Sequence, residues 1–335
     1  MDIDADKLYW IYKKLFTIRF FEERIKKIAV EKSVPGYLHT CIGSEAICVG
    51  VMSALDSDDW ISSTYRNHGH SIAKNCELKE ITSEIYGRRT GICKGRGGSL
   101  HISDFDKGML GSFGIVAAGP PVVLGAALQE KINGGTKMSA TFIGDGAIHN
   151  GAFHEAAGLA KLWDVPMLFV CENNAYAEAT ATDWHLNTKE LKDISKAYDM
   201  ISYQGDGNNV FEVHKITRNA IIESKAKSTP IFLEFKNYRF SGQYEGDTQL
   251  YQPLEEIEEA KKNDPIKKTI EMAASFGLNK DEVKKIEAEA LNEVNEAFDF
   301  AESQPWPNPE DALEEVYVNY PRAVSYTHLT LPTKA

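Results

Sequence analysis

No apolar run in the chain approaches 18 residues, the length at which a membrane-spanning helix becomes a candidate. The acidic start, Met1-Asp2-Ile3-Asp4-Ala5-Asp6, holds no apolar signal core. A membrane partner is therefore not expected, and the default location is cytoplasmic. Cysteine is sparse, and Cys41, Cys48, Cys76, Cys93 and Cys171 form no Cys-x-x-Cys pair and no metal-finger spacing. That scatter excludes a disulfide framework and predicts reduced, mostly buried thiols. Long Lys/Arg runs are missing too, and the net charge of −12 excludes a nucleic-acid or anionic-membrane surface. There is no internal repeat and no long low-complexity linker. What remains is an ordinary soluble composition, 43% hydrophobic and 26% charged over 335 residues, with ample material for a large core.

Helical spacing of Leu8, Ile11, Leu15, Ile18, Phe21, Ile25 and Ile28 predicts a long amphipathic helix over residues 7–31. A second helix is expected from near Gly43 through Val51 to Leu55. Residues 87–114 read as a glycine-rich loop carrying Arg88, Arg89, Lys94 and Arg96. Pro120 to Leu128 reads as a buried helix started by proline. Strands are expected at Lys137–Ile143, Val165–Cys171, Ala197–Tyr203 and Pro230–Phe235, with a crossover helix over Asn209–Ser224. Asp264-Pro265 starts a further helix, and Pro305-Trp306-Pro307 ends the last one. Strand–helix alternation predicts an α/β fold with a doubly wound parallel sheet and flanking helices. Residues 1–322 are expected to form one domain with helical extensions at both ends. Residues 323–335 do not fit the rest, resemble a translated sequencing-adapter read-through, and are set aside.

The richest signal is Thr141-Phe142-Ile143-Gly144-Asp145-Gly146-Ala147 followed, 29 residues after Asp145, by Asn174. A helical stretch, Ala147–Trp163, and a second apolar run separate them, which makes one βαβ unit. Ligands bind where the C-terminal ends of parallel strands open into a crevice. An acid and an amide at neighbouring strand ends supply two hard oxygens to one ion, and Mg²⁺ shares its octahedron with substrate phosphates. A dinucleotide reading, with Glu172 as the ribose acid, competes. Against it, the third glycine falls at Gly151, and Asp145 beside a pyrophosphate repels it unless a metal intervenes.

This arrangement resembles the thiamine diphosphate signature. The stretch Gly144-Asp145-Gly146-Ala147-Ile148-His149-Asn150-Gly151-Ala152-Phe153-His154-Glu155-Ala156 is similar to the alpha subunit of the decarboxylating first component of 2-oxo acid dehydrogenase complexes. The pyruvate and acetoin branches are the nearest. Further matches are Gly36-Tyr37-Leu38-His39, Gly43-Ser44-Glu45-Ala46, Tyr65-Arg66-Asn67-His68-Gly69, Gly95-Arg96-Gly97-Gly98-Ser99-Leu100-His101, Gly114-Ile115-Val116 and Tyr238-Arg239. The resemblance implies a thiamine diphosphate-binding fold with Mg²⁺ held by Asp145, Asn174 and the Tyr176 carbonyl. It implies Gly146 and Ala147 at the phosphates, Tyr65 and Arg66 reaching the diphosphate, and the backbone of Gly114 and Val116 at the aminopyrimidine. His39 matches a substrate-contacting histidine, and His68 lies in the Tyr-Arg-x-His motif.

One position departs from the family pattern: Gln243 stands where a diphosphate-contacting histidine is usual. An amide donates a hydrogen bond to phosphate but cannot become cationic or transfer a proton at neutral pH. The family places the pyrimidine-side glutamate on a second α/β domain, and residues 1–86 and 250–322 read as helical, without room for one. The resemblance thus implies a beta subunit in an alpha2-beta2 heterotetramer, and acyl transfer to the lipoyl domain of a dihydrolipoyl acyltransferase. Two other readings stay open: a split transketolase-like enzyme, and a cofactor-binding structural subunit disabled at Gln243.

Overall fold

The computed structural model describes residues 3–31, 34–186, 188 and 190–313. Residues 323–335 lie outside them. The helices are α1 (Ala5–Val30), α2 (Glu45–Ala54), α3 (His68–Ala73), α4 (Leu78–Ile85), α5 (Gly119–Asn133) and α6 (Gly151–Leu162). They continue with α7 (Thr182–His185), α8 (Val210–Lys227), α9 (Leu254–Lys262), α10 (Pro265–Met272) and α11 (Lys280–Ser303). The strands are β1 (Trp60–Thr64), β2 (Met109–Phe113), β3 (Ser139–Gly144), β4 (Leu168–Asn173), β5 (Tyr176–Ala177), β6 (Thr180–Ala181), β7 (Ile201–Asp206) and β8 (Ile231–Lys236).

Six strands form a parallel sheet in the order β2-β1-β3-β4-β8-β7, and β5 and β6 pair as a small antiparallel hairpin. Helices cover both faces, as a doubly wound α/β fold requires. Alternation along the strands divides the core. Leu168 and Val170 of β4, with Ile231 and Leu233 of β8, pack beneath α1, α2 and α8. Phe169, Cys171 and Phe232 face α5 and α6. Strands buried on both sides read as continuous apolar runs, which is why β4 and β8 are visible in the sequence.

Local chemistry sets the ends of the elements. Asp4 caps α1 by accepting from the Lys7 N–H at 2.8 Å. Asn150 caps α6, Asn209 caps α8, and Asn279 with Glu282 forms a reciprocal capping box on α11. The last helix stops at Ser303, just before the Pro305-Trp306-Pro307 break.

Three expectations require correction. Residues 1–86 are not all helical, because β1 lies among them and pairs with both β2 and β3. Its Ser62-Ser63-Thr64 lacks an apolar signature, but the two serines are buried with polar partners: Ser62 Oγ lies 2.9 Å from Thr141 Oγ1, and Ser63 Oγ lies 2.7 Å from His70 Nδ1. Residues 87–114 are not all loop, since β2 is formed where Ser112 Oγ donates to the Leu100 carbonyl at 2.9 Å. The strand expected at Ala197–Tyr203 starts later, at Ile201, because Leu191–Tyr198 winds as a 3₁₀ helix. Among the described residues there is still no second doubly wound sheet.

Candidate active site

The C-terminal ends of the central strands open on a cavity of about 420 Å³. Tyr65 and Arg66 enter it directly after β1, and Gly114 and Val116 after β2. Asp145, Gly146 and Ala147 follow β3, while Asn174 and Tyr176 follow β4. His39 arrives from the loop before α2, and Gln243 from the segment after β8. Val116 is 45% exposed and so is not a core residue.

Asp145 is buried at the mouth of β3, where its Oδ2 accepts from Thr182 Oγ1 at 2.9 Å and lies 3.2 Å from His185 Nε2. Asn174 Oδ1 accepts from the Tyr176 N–H at 3.3 Å, closing an Asx turn. Between them Ala175 sits at φ +73°, a left-handed conformation that costs a non-glycine residue roughly 1–2 kcal/mol. The strained turn returns Tyr176 to the cavity wall. A Cβ on Gly146 would stand 2.6 Å from Ala177 Cβ, so the β5–β6 hairpin closes over this position only because it is glycine. Asp145, Asn174 and the Tyr176 carbonyl thereby border one space with three hard oxygen donors, a set suited to Mg²⁺.

Beside these oxygens the cavity is cationic and tightly wired. All five N–H groups of the Arg239 guanidinium are engaged. Nε donates to the Ser241 carbonyl, Nη1 to the Tyr176 carbonyl and Gln243 Oε1, and Nη2 to the Glu178 carbonyl and Tyr251 Oη, at 2.8 to 3.3 Å. Burial and the nearby Arg66 hold its pKa below the ordinary arginine value. Arg66 donates through Nη1 to the Thr40 carbonyl and through Nη2 to the Gln243 carbonyl at 3.0 Å. Gln243 Nε2 donates to Tyr65 Oη at 3.0 Å.

His39 Nδ1 lies 2.7 Å from the Gln243 carbonyl. A carbonyl only accepts, so the proton sits on Nδ1 and Nε2 keeps a lone pair. Burial and the positive Arg66 push the His39 pKa down to about 4, which keeps the imidazole neutral near pH 7.

His68 stands apart. It is fully buried, is not among the residues lining the cavity, and has both ring nitrogens engaged: Nδ1 at 3.0 Å from Glu22 Oε2 and Nε2 at 2.7 Å from Ser99 Oγ. Sequence reading assigned no role to Arg239, to the Thr182 and His185 contacts on Asp145, or to Glu84. The Glu84 carboxylate is fully buried and accepts from four main-chain N–H groups of the glycine-rich loop. Oε2 takes Cys93 and Gly95, and Oε1 takes Gly97 and Gly98, at 2.7 to 3.0 Å. The loop's own arginines turn from the cavity, Arg88 lying over the Trp306 ring at 4.0 Å. Its contribution to the cavity wall is Leu100.

Fold and site together define a class: parallel α/β proteins with a ligand-sized cavity at the C-terminal edge of the sheet. The chain belongs to the dehydrogenase E1 component family, whose model matches residues 13–310. It is 37% identical over 324 residues to the alpha subunit of acetoin:2,6-dichlorophenolindophenol oxidoreductase from Bacillus subtilis, covering 96% of each chain. The pyruvate dehydrogenase E1 component subunit alpha of Rickettsia bellii is 32% identical, with 92% of this chain and 94% of the relative aligned. The mitochondrial somatic form from Bos taurus is 33% identical over 92% of this chain and 79% of its own.

Proposed function

We propose that this chain is the alpha subunit of a thiamine diphosphate-dependent enzyme that oxidatively decarboxylates pyruvate or cleaves acetoin. The observation that carries the reading is that Asp145, Asn174 and Tyr176 line the same cavity as Arg66 and Arg239. Hard oxygens with guanidinium charge beside them would suit a diphosphate together with Mg²⁺. Bound there, thiamine diphosphate supplies a carbanion that adds to a carbonyl and stores the electrons released on cleavage.

The chain's own residues bind and orient. Asp145, Asn174 and Tyr176 hold the cation, while the N–H groups of Gly146 and Ala147 face phosphate. Tyr65 and Gln243 offer neutral hydrogen-bond donors beside the positive Arg66. The backbone of Gly114 and Val116 takes the aminopyrimidine. His39 is the residue for substrate contact, because its neutral ring presents the Nε2 lone pair. His68 acts indirectly, tying the Tyr65–Arg66 segment to α1 through Glu22 and to the glycine-rich loop through Ser99. Among the described residues Arg66 and Arg239 are the only Lys or Arg lining the cavity, too few for the phosphorylated sugars of a transketolase-like reading.

The pyrimidine-side carboxylate comes from a beta subunit in an alpha2-beta2 heterotetramer, and the acyl group passes to lipoyl on a dihydrolipoyl acyltransferase. A reducing cytoplasm suits five free cysteines, and none of the described helices is long and apolar enough to cross a membrane. Calorimetric titration with thiamine diphosphate, with and without Mg²⁺, tests the metal assignment. Asp145→Ala is expected to abolish Mg²⁺-dependent binding while circular dichroism stays unchanged. Unaltered affinity in the variant refutes the assignment. Turnover with an artificial electron acceptor is expected only after mixing with the beta subunit.

A further inference from the structure

Behind the cavity, on the side facing α2 and α3, three side chains with different donor atoms converge. Cys48 comes from α2, His70 from α3 and Glu172 from β4, and one ligand atom of each lies within 4.8 Å of the other two. All three residues are buried. Two of the atoms are unpartnered: His70 Nε2 and Glu172 Oε1 have no hydrogen-bond partner. They face each other at 3.6 Å, within ion-pair range but too far for a hydrogen bond. A buried donor–acceptor pair left open in this way is costly and calls for an explanation.

We propose that Cys48 Sγ, His70 Nε2 and Glu172 Oε1 form a binding site for a borderline-soft divalent cation of the Zn²⁺ type, separate from the Mg²⁺ position. Tetrahedral Zn²⁺ with bonds of about 2.0–2.3 Å to N, O and S sets its ligands about 3.3–3.6 Å apart. The His70–Glu172 separation is that of two ligands on one ion, and the unpartnered atoms become its ligands. The donor set selects against Mg²⁺, which takes oxygen, and for a metal that accepts thiolate and imidazole together.

The surroundings are those of a prepared ligand sphere. His70 Nδ1 lies 2.7 Å from Ser63 Oγ, which fixes the tautomer when Nδ1–H donates and leaves Nε2 free to ligate. Phe142 packs against the His70 ring at 3.8 Å between centroids, with the planes tilted by 31°, and restricts its rotation. A Cβ on Gly69 would stand 2.7 Å from Cys48 Sγ and 2.8 Å from Cys41 Sγ, so glycine there lets α3 approach both sulfurs. Charge also balances: thiolate and carboxylate together carry the two negative charges that one divalent ion neutralises, which removes the penalty of burying them. Glu172 also borders the cofactor cavity, so occupancy here anchors one wall of it.

The test uses the full chain co-purified with its beta subunit. Inductively coupled plasma mass spectrometry is expected to find about one equivalent of zinc per chain after gel filtration. Exchange for Co²⁺ should produce a thiolate-to-cobalt charge-transfer band in the near ultraviolet. Cys48→Ser should lose the band and at least tenfold of the zinc, while Asp145→Asn keeps both, which separates this site from the Mg²⁺ position. Should Cys48→Ser fail to fold, the cobalt spectrum of the unaltered protein decides alone. Zinc below a tenth of an equivalent, a cobalt spectrum with oxygen-only ligation, or zinc fully retained by a folded Cys48→Ser overturns the proposal.

Discussion

Replacing Glu84 by glutamine alters one atom and is expected to release the 93–98 segment of the glycine-rich loop. In the native protein each carboxylate oxygen of Glu84 accepts two main-chain N–H groups from the 93–98 segment. Glutamine turns one oxygen into an NH₂ group, which then faces two N–H donors and accepts from neither. A hydrogen bond to a charged group contributes about 1.5–3 kcal/mol, so losing two costs about 3–6 kcal/mol. The surviving pair falls to the neutral value of roughly 0.5–1.5 kcal/mol each. The sum rivals the whole stability of a typical domain, about 5–15 kcal/mol. The loop peels away before the sheet unfolds, because local opening caps the loss. Hydrogen–deuterium exchange at Cys93, Gly95, Gly97 and Gly98 is the assay, and it should accelerate at least about a hundredfold, since 1.4 kcal/mol is tenfold. Ser99, which meets His68 and through its carbonyl takes Asn67 Nδ2 at 2.7 Å, should lose protection with them. Exchange within about threefold of the native protein refutes the view that one carboxylate organises this loop.

The depressed His39 pKa gives a pH dependence of stability with a definite sign. Its folded value of about 4 lies below the ordinary 6.5, so between these limits the unfolded chain binds more protons. His39 therefore contributes stability that is complete above pH 6.5 and lost as pH falls toward 4. Urea midpoints across that window should slope less in His39→Gln, and an equal slope refutes the assignment. At Gln243, the side chain already bridges Tyr65 and Arg239, and the neighbouring Arg239 opposes a cationic imidazole. Gln243→His is thus expected to shift thiamine diphosphate affinity by less than about tenfold, the effect of one hydrogen bond. A gain in turnover of about 10²-fold, the scale of general acid–base catalysis, would instead mark the natural chain as catalytically impaired.

The central βαβ unit is legible because β3 and β4 are apolar on both faces and the helix between them begins at an asparagine cap. Strand β1 is hidden for the opposite reason. Its serines satisfy their hydroxyls against Thr141 and His70, partners far along the chain or in another element, so a buried strand carries a loop-like composition. The metal-side residues cluster in one short window, and local spacing finds them. The cationic wall does not: His39 and Arg66 both meet the main-chain carbonyl of Gln243, an atom that every residue type possesses. Arg239 is marked in the sequence only by the Tyr238-Arg239 match, and its role stays hidden because three of its five partners are main-chain carbonyls.

The contact between His39 and Gln243 spans 204 residues. At the usual synthesis rate of about 5–20 residues per second, roughly 10–40 s separate the appearance of its two ends at the ribosome. Throughout that interval Arg66 carries a buried-type charge without the Gln243 carbonyl that later receives it, and Tyr65 lacks its Gln243 partner. The sheet core from β1 to β4 is complete by Asn173, so a scaffold can form while its cavity is still open. The cavity is for this reason completed late, once the last third of the chain supplies Arg239 and Gln243.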